Sequence, residues 1–350
     1  MIKNNKWFKK KKYYLGIEMG FHCLQCAIIC VEKHKKPTVV QLFQIPLHDK
    51  PENHKNISNW SIILNNLQRK ITYSIHDITI GFYHEKLIQD RLLVHHHLSD
   101  KDILAHIRTL LQQKDKEIKI ETVNIDFSRI SQNKIQDTLL IYSIPHEPIQ
   151  EIIHHFTDMS IDCIEPASVA LGRLYPFIHT DLYHLSSIIY IDIGYTVTHI
   201  TYQKKMNTLY TKSIAFGLQQ LYRKLTIVHQ CNLISDDLDI FIDLLSDSSS
   251  QQFITLFIHQ LNQYIQTALK DIKQHEKDDV IQAIILSGYG LLLPDLKTTL
   301  QQQNTIHIFD LMDFTLFKTI QKKHHLDTLS IHSSAIALGS ALRIWCHDQY

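Results

Sequence analysis

The sequence predicts a duplicated two-lobe α/β fold, and two stretches of the same form carry that prediction. In Tyr190-Ile191-Asp192-Ile193-Gly194-Tyr195-Thr196-Val197-Thr198-His199-Ile200, an apolar β-rich run (Ser187 to Ile193) ends in a carboxylate and a glycine two apart. A second β-rich run follows at once, with hydroxyls at Thr196 and Thr198. Half a chain earlier, Leu15-Gly16-Ile17-Glu18-Met19-Gly20-Phe21-His22 repeats the acid–x–Gly step and leads into Cys23 to Val31. Each reads as a tight hairpin whose turn exposes backbone N–H groups beside a carboxylate, a geometry suited to phosphate and its metal ion. One such step describes ordinary sheet; two at half-chain spacing describe a repeat, with Glu18 and Asp192 expected to face each other across a cleft.

Composition sets the bounds. A chain of 350 residues has room for two to three domains. Charged residues are 20% and the formal net charge is +1, so no global field favours nucleic acid or an acidic substrate. No apolar run of about 18 or more residues marks a membrane span, and the lysine-rich start is not a signal peptide. The expected location is the cytoplasm. Six cysteines are expected to stay thiols there. The 24 histidines invite a metal reading, but the consecutive His95, His96 and His97 cannot all face one ion from an extended stretch. They read as surface choices.

In chain order, Lys3, Lys6, Trp7, Phe8 and Lys9, Lys10, Lys11, Lys12 form a basic, aromatic leader. It is either a solvated tail or a contact for an anionic membrane, at about 1 kcal/mol per lysine. Cys23 and Cys26 have redox or zinc spacing, yet on a strand they point to opposite faces, so they read as core. Thr38 to Ile45 is a third strand. Trp60, Ile63, Leu64, Leu67 and Ile71 then make a helical stripe. Asp77 to Phe82 and Lys86 to Val94 read as strands. Ser99 opens a helix with Ile103, Leu104, Ile107, Leu110 and Leu111 on one face, and Val123 to Ile130 and Thr138 to Ile144 return to strand. After Pro145 come a helix, a short strand at 162–166 and a helix from Ala167. Beyond the central hairpin, Thr208 to Ile214 is a strand, and Gly217 turns the chain into a helix. Asp236 to Leu245 and Gln251 to Ile272 are helices, the second with Phe253, Leu256, Phe257, Leu261, Tyr264, Ile265 and Leu269 as its stripe. Val280 to Leu286 runs into Ser287-Gly288-Tyr289-Gly290, whose small residues permit close backbone approach to a ligand. A helix past Pro294, a strand at 306–309 and a helix from Ser334 to Trp345 complete the chain. The domain reading is a leader (1–12), a first lobe (13–77 and 145–186, closed by 331–350), an α+β insertion in that lobe (78–144) and a second lobe (187–330).

This order resembles the actin/hsp70/sugar-kinase superfamily, and within it the PilM family of type IV pilus assembly. The resemblance rests on Trp7-Phe8-Lys9-Lys10-Lys11 with Leu15 to Gly20, on Leu98 to Asp102, and on Val123 to Phe127. It continues through Asp192-Ile193-Gly194 with Thr198, Ile214 to Gly217, Ile285 to Gly290, Leu293-Pro294, Asp313-Phe314 and Ala335 to Arg343. It implies an actin-like ATPase fold with ATP and Mg²⁺ at the hairpins. Glu18 and Asp192 would face the metal, Gly20, Gly194 and Thr196 the phosphates, and Gly217, Ser287, Gly288 and Gly290 the nucleoside. The chain departs from the family at Phe21, His22, Cys23 and Gln25, where small residues and a lysine are preferred, and at Tyr289 in place of a glycine. Degenerate loops are therefore expected, with weak or absent ATP binding and no turnover.

The resemblance also implies a cytoplasmic scaffold, peripheral to the inner membrane, that captures the N-terminal tail of a PilN-like membrane protein and links it to the pilus motor ATPases, with homo-oligomers a further expectation. The other readings are a nucleotide-hydrolysing actin-like ATPase or a sugar or acetate kinase of the same superfamily, which need intact phosphate loops, and an actin-like cell-division membrane anchor, which needs a C-terminal amphipathic tether after a linker.

Overall fold

The computed structural model describes residues 11–32, 35–47, 57–114, 119–132, 135–157, 159–178, 181, 185–204, 207–230, 238–276 and 279–347. Leader residues Lys3, Lys6, Trp7, Phe8, Lys9 and Lys10 lie outside them. The chain begins β1 (Lys12–Met19), β2 (Cys23–Val31), β3 (Thr38–Pro46), α1 (Ile57–Lys70) and β4 (Ile75–Phe82). Next come β5 (Ile88–His95), α2 (Asp100–Lys114), a 3₁₀ turn (Ile120–Thr122), β6 (Val123–Gln132), β7 (Gln136–Pro145) and α3 (His146–His155). β8 (Cys163–Pro166), α4 (Ala167–Gly172) and α5 (Tyr175–Ile178) lead to β9 (Ser187–Ile193), β10 (Thr198–Lys204) and β11 (Asn207–Ile214). Then follow α6 (Leu218–Val228), α7 (Leu238–Ser246), α8 (Gln251–His275), β12 (Ala283–Ser287), α9 (Leu296–Gln303) and β13 (His307–Asp310). The chain closes with α10 (Thr315–His324), α11 (Thr328–Ser333), α12 (Ala335–Ala341) and α13 (Arg343–His347).

Two five-stranded sheets repeat one topology, β3-β2-β1-β4-β8 and β11-β10-β9-β12-β13. In each, the first hairpin and the next strand pair antiparallel, and the two later strands add in parallel. This is the duplication that the two acid–x–Gly turns announced. β2 and β9 are apolar without alternation because both their faces are covered. Cys23, Cys26 and Cys30 lie in that buried β2, and burial pushes the Cys26 thiol above its usual range, so these thiols are core groups.

Helix starts follow the expected chemistry. The Ser99 hydroxyl accepts the Asp102 N–H at 3.3 Å and donates to the Asp102 carboxylate at 2.6 Å, a shortened capping box. Ile63, Leu64 and Leu67 of α1 are buried. The stripe of α8 is shifted from the sequence reading: Ile254, Phe257, Ile258, Leu261, Ile265, Ala268, Leu269 and Ile272 are buried, whereas Leu256 is exposed. Short helices α5, α10 and α11 had no periodic signal long enough to reveal them.

The chain divides into two compact units. One comprises the described residues of Met1–Phe82, Met159–Asp181 and Leu311–Tyr350; the other, those of Tyr83–Asp158 and Leu182–Asp310. The insertion, expected with the first lobe, thus groups with the second sheet. Its strands β5 and β6 contact β11, and Arg91 pairs with Glu276 at the end of α8 at 2.6 Å. Within the insertion, β5-β7-β6 form a sheet whose face is covered by α2 through Val94, Ile103, Ile107, Leu111, Leu139 and Ile141.

In the first unit, α12 lies directly on the sheet. A Cβ on Gly16 of β1 would fall 1.9 Å from the Ala337 carbonyl oxygen and 2.4 Å from the Ala341 nitrogen. One on Gly339 would fall 2.0 Å from the Ala170 carbonyl oxygen of α4. A Cβ on Gly81 would crowd side-chain atoms, Ser340 Oγ at 2.8 Å and Ile336 Cγ2 at 2.9 Å, with the Ile17 carbonyl oxygen at an ordinary 3.8 Å. Gly16→Ala and Gly339→Ala should each cost more than about 3 kcal/mol, because backbone has to move, and Gly81→Ala distinctly less. Urea unfolding of the three variants checks the ranking; Gly81→Ala proving the worst would contradict it.

Candidate functional site

Asp192 ends β9 at the mouth of the second hairpin, opposite His199 of β10 and beside Ser287 of β12. It is 4% exposed, and the Ser287 hydroxyl donates to its Oδ1 at 2.6 Å. Burial pushes the carboxyl up to about 7, against the pull of that hydrogen bond. His199 is buried as well, with Nδ1 2.9 Å from Ser213 Oγ and the Tyr83 ring edge-on at 5.7 Å. Burial lowers its pKa to about 3, so the imidazole is neutral.

The turn itself is held by its own groups. Gly194 N–H donates to Val197 O at 2.9 Å, and Thr198 Oγ1 donates to Phe216 O at 2.7 Å. The start of α6 packs its donors onto the same turn. Leu218 N–H bonds Gly194 O at 3.2 Å, Gln219 N–H bonds Tyr195 O at 2.7 Å, and Gly217 N–H bonds Gln220 Oε1 at 2.7 Å. A helix N-terminus binds phosphate through N–H groups left unpaired, and here those are taken. Thr196 is half-buried and makes no hydrogen bond among the described residues, which leaves its hydroxyl available.

The other glycines expected near a nucleoside pack closely on their own chain. A Cβ on Gly217 would sit 2.5 Å from Tyr195 O. One on Gly288, at φ +85°, would sit 2.6 Å from Ile193 O, and one on Gly290 2.5 Å from Ile193 Cβ. Both seat the turn after β12 against β9.

The first hairpin, in the other unit, has the same turn. A Cβ on Gly20 would sit 2.7 Å from Cys23 O, as one on Gly194 would sit 2.8 Å from Val197 O. Half-buried Glu18 stands where Asp192 stands, opposite Gln25 of β2 and beside Gly81 of β4. Gln25 is buried and donates through Nε2 to Cys23 Sγ at 3.2 Å. Phe21 and His22 stack edge-on at 4.9 Å in the turn.

Asp192, Gly194, Thr196, Gly217, Ser287, Gly288 and Gly290 therefore share one unit, while Glu18 and Gly20 belong to the other. Sequence reasoning missed His199 and Gln220. The register of a four-residue hairpin turn after Asp192 would have placed His199 opposite it. Of the leader lysines, Lys11 pairs with Glu32 at 3.5 Å, and exposed Lys12 begins β1. Among the described residues no group of three His, Cys, Asp or Glu is placed to hold a metal, and no helix is long and apolar enough to cross a membrane.

A family described as "Type IV pilus assembly protein PilM" matches residues 16–345. No curated protein matches by sequence. Among solved structures, the chain is similar to a PilM–PilN type IV pilus biogenesis complex (TM-score 0.72, 14% identity, 94% of this chain and 98% of that chain). It is also similar to the ethanolamine utilization protein EutJ from Carboxydothermus hydrogenoformans (TM-score 0.50, 11% identity, 94% and 89%). These likenesses concern fold, which is the duplicated, actin-like α/β architecture that the sequence predicted.

The buried carboxyl gives a pH signature. An unfolded aspartate titrates near ~3.9 and Asp192 near 7, so between these values the folded chain holds more protons and loses stability as pH rises. His199 acts with the opposite sign, its contribution being lost as pH falls below about 6.5, but it is common to both proteins in the comparison. Asp192→Asn should raise Tm by roughly a few °C at pH 8 and change it little at about pH 4.5. An equal shift at both values would show that Asp192 is not the group involved.

Proposed function

The chain belongs to the PilM family of type IV pilus assembly proteins, and from that premise we propose a scaffold whose work is binding, not turnover. The observation that carries this is the hairpin beside Asp192, where the α6 N–H groups and the glycines are committed to the turn and to β9. An acid–x–Gly turn that served phosphate would hold those donors open. The kinase alternative needs them open too, so it is disfavoured by the same geometry.

In this reading the scaffold sits in the cytoplasm at the inner membrane and captures the N-terminal tail of a PilN-like membrane protein, as the family name and the similar PilM–PilN complex suggest. It thereby connects that partner to the motor ATPases of the pilus. Nucleotide has a place as a weak ligand: Asp192, ionised by an arriving Mg²⁺, and the Thr196 hydroxyl are the groups that remain for it. The leader lysines Lys9, Lys10, Lys11 and Lys12 add a contact with anionic lipid.

Calorimetric titration with Mg-ATP should show binding weaker than about 100 μM, a binding free energy of about 5.5 kcal/mol, and no phosphate release above background. The co-expressed PilN-like partner should still co-purify with wild type and with Asp192→Ala. Tight ATP binding with steady phosphate release, both lost in Asp192→Ala, would overturn the scaffold reading. For the leader, binding to acidic liposomes should fall steeply with salt and when Lys9 to Lys12 become glutamine. Equal binding by a leader-deleted chain would reduce the run to a solvated tail.

A further inference from the structure

The cations of this chain are unevenly placed. Residues 1–36 hold nine of its 36 lysines and arginines but only Glu18 and Glu32 of its 35 acids, so they carry a formal charge of +7 and the rest of the chain −6. A net charge of +1 conceals that separation. Among the described residues, Lys11, Lys12, Lys35 and Lys36 show where the positive end lies.

Lys12 begins β1 opposite Val31, the last residue of β2. The chain then turns back: Lys35 N–H donates to Glu32 O at 3.0 Å, and β3 starts at Thr38 beside Cys30. The start of β1 and the β2–β3 turn therefore share one end of the first sheet. One carboxylate ties them together, with Glu32 Oε2 2.6 Å from Lys35 Nζ and Oε1 3.5 Å from Lys11 Nζ. The Lys35 hydrogen bond, with Lys11 beyond it, holds that carboxyl below its usual range, so it stays ionised as the bridge. Both lysines remain more than half exposed. Lys12 and Lys36 are exposed too and make no ion pair among the described residues. Four ammonium groups thus meet a single carboxylate at this end.

The kind of cation says what fits. All nine in residues 1–36 are lysines. The planar fork of arginine suits phosphates held in fixed geometry, as on nucleic acid, whereas an ammonium on a flexible stem suits a mobile layer of headgroups. Trp7 and Phe8 in the same stretch are side chains that enter a membrane interface.

We infer that the β2–β3 turn, through Lys35 and Lys36, joins Lys11 and Lys12 in one surface that seats this end of the first sheet on an anionic lipid bilayer. This rests on the leader's lipid contact proposed above and adds an orientation to it. The eight residues of β1 span about 25 Å, so the hairpin turn at its other end stands well beyond one Debye length from the headgroups. The negative remainder of the chain is repelled by the same surface, which makes the seating directional.

The test is co-sedimentation of the full chain with vesicles of phosphatidylglycerol and phosphatidylcholine in equal parts, and with phosphatidylcholine alone. Wild type should bind the anionic vesicles only, and less as salt rises. Lys36→Gln should weaken binding about fivefold, and Lys35→Gln/Lys36→Gln at least about tenfold. Glu32→Gln should strengthen it a few-fold, because the carboxylate that offsets Lys11 and Lys35 is gone; unfolding of a variant cannot mimic a gain. Lys322→Gln/Lys323→Gln, the same charge change at exposed positions of α10 in the same unit, should leave binding within about twofold. Equal loss in the two double variants would overturn the proposal, since net charge alone would then be acting. So would a short DNA duplex bound as tightly as the vesicles at the same salt. The two levels separate cleanly. Loss when Lys9 to Lys12 become glutamine, with none in Lys35→Gln/Lys36→Gln, removes the turn and leaves the leader's contact standing, whereas wild type that ignores anionic vesicles removes both.

Discussion

The backbone of α12 occupies the space where β1 would otherwise carry a side chain, and much of the first unit follows from that contact. Gly16 and Gly339 are the two positions at which backbone meets backbone, with α12 pressed between β1 and α4. Gly81 continues the contact on β4, under Ser340 and Ile336. At Gly16 and Gly339 the approach is too close for a Cβ, whereas at Gly81 a Cβ would displace side chains, and all of Ala335 to Ala341 is buried. Arg173 finishes the arrangement. It forms an ion pair with Glu165 on β8, and its guanidinium also reaches the Gly339 carbonyl at 3.5 Å.

That contact also separates the chemistry of the two hairpins. By register, Gly81 in the first sheet corresponds to Ser287 in the second, and Gly16 to Tyr190. A Cβ on Gly81 would meet Ser340 Oγ and Ile336 Cγ2 of α12, whereas the second sheet carries the Ser287 side chain at that position. Asp192 therefore has Ser287 as a donor, while Glu18 has a glycine there and Gln25 across the hairpin. The turns stay alike, down to the contact of Gly20 with Cys23 O and of Gly194 with Val197 O. Duplication preserved the turn, and packing specialised the residues around it.

The fold was legible because its signals are local and repeated. Acid–x–Gly steps, unbroken apolar strands and the stripe of α2 depend on neighbours within a few residues, and those readings agree with β1, β2, β9, β10 and α2. The site was legible only in part. Gly217, Gly288 and Gly290 look like room for a nucleoside in sequence, and in the structure a Cβ at each would meet Tyr195 or Ile193, so each glycine seats its turn whether or not its backbone also meets a ligand. The membership of the insertion was hidden for a related reason. It is set by contacts of β5 and β6 with β11 and by Arg91 with Glu276, which join residues far apart in the chain. Leu256 was misplaced because it stands one position, about 100°, from buried Phe257, and a stripe of period 3.6 does not fix its own edge.

The insertion's place in the second unit gives it a physical connection to Asp192. Asp192 faces His199 across one strand pair, His199 is fixed by Ser213 on β11, and β11 is the strand on which the insertion rests. Tyr83, where the chain leaves β4 for the insertion, lies edge-on against the same imidazole. Burial biases that imidazole and the Asp192 carboxyl alike toward their neutral forms. A ligand at the hairpin could influence the insertion only by the difference in its free energy of interaction with two arrangements of these residues, and the reverse influence would equal it. The Ser287 hydrogen bond to a buried Asp192 favours one arrangement, which suits a binding surface better than a turnover cycle.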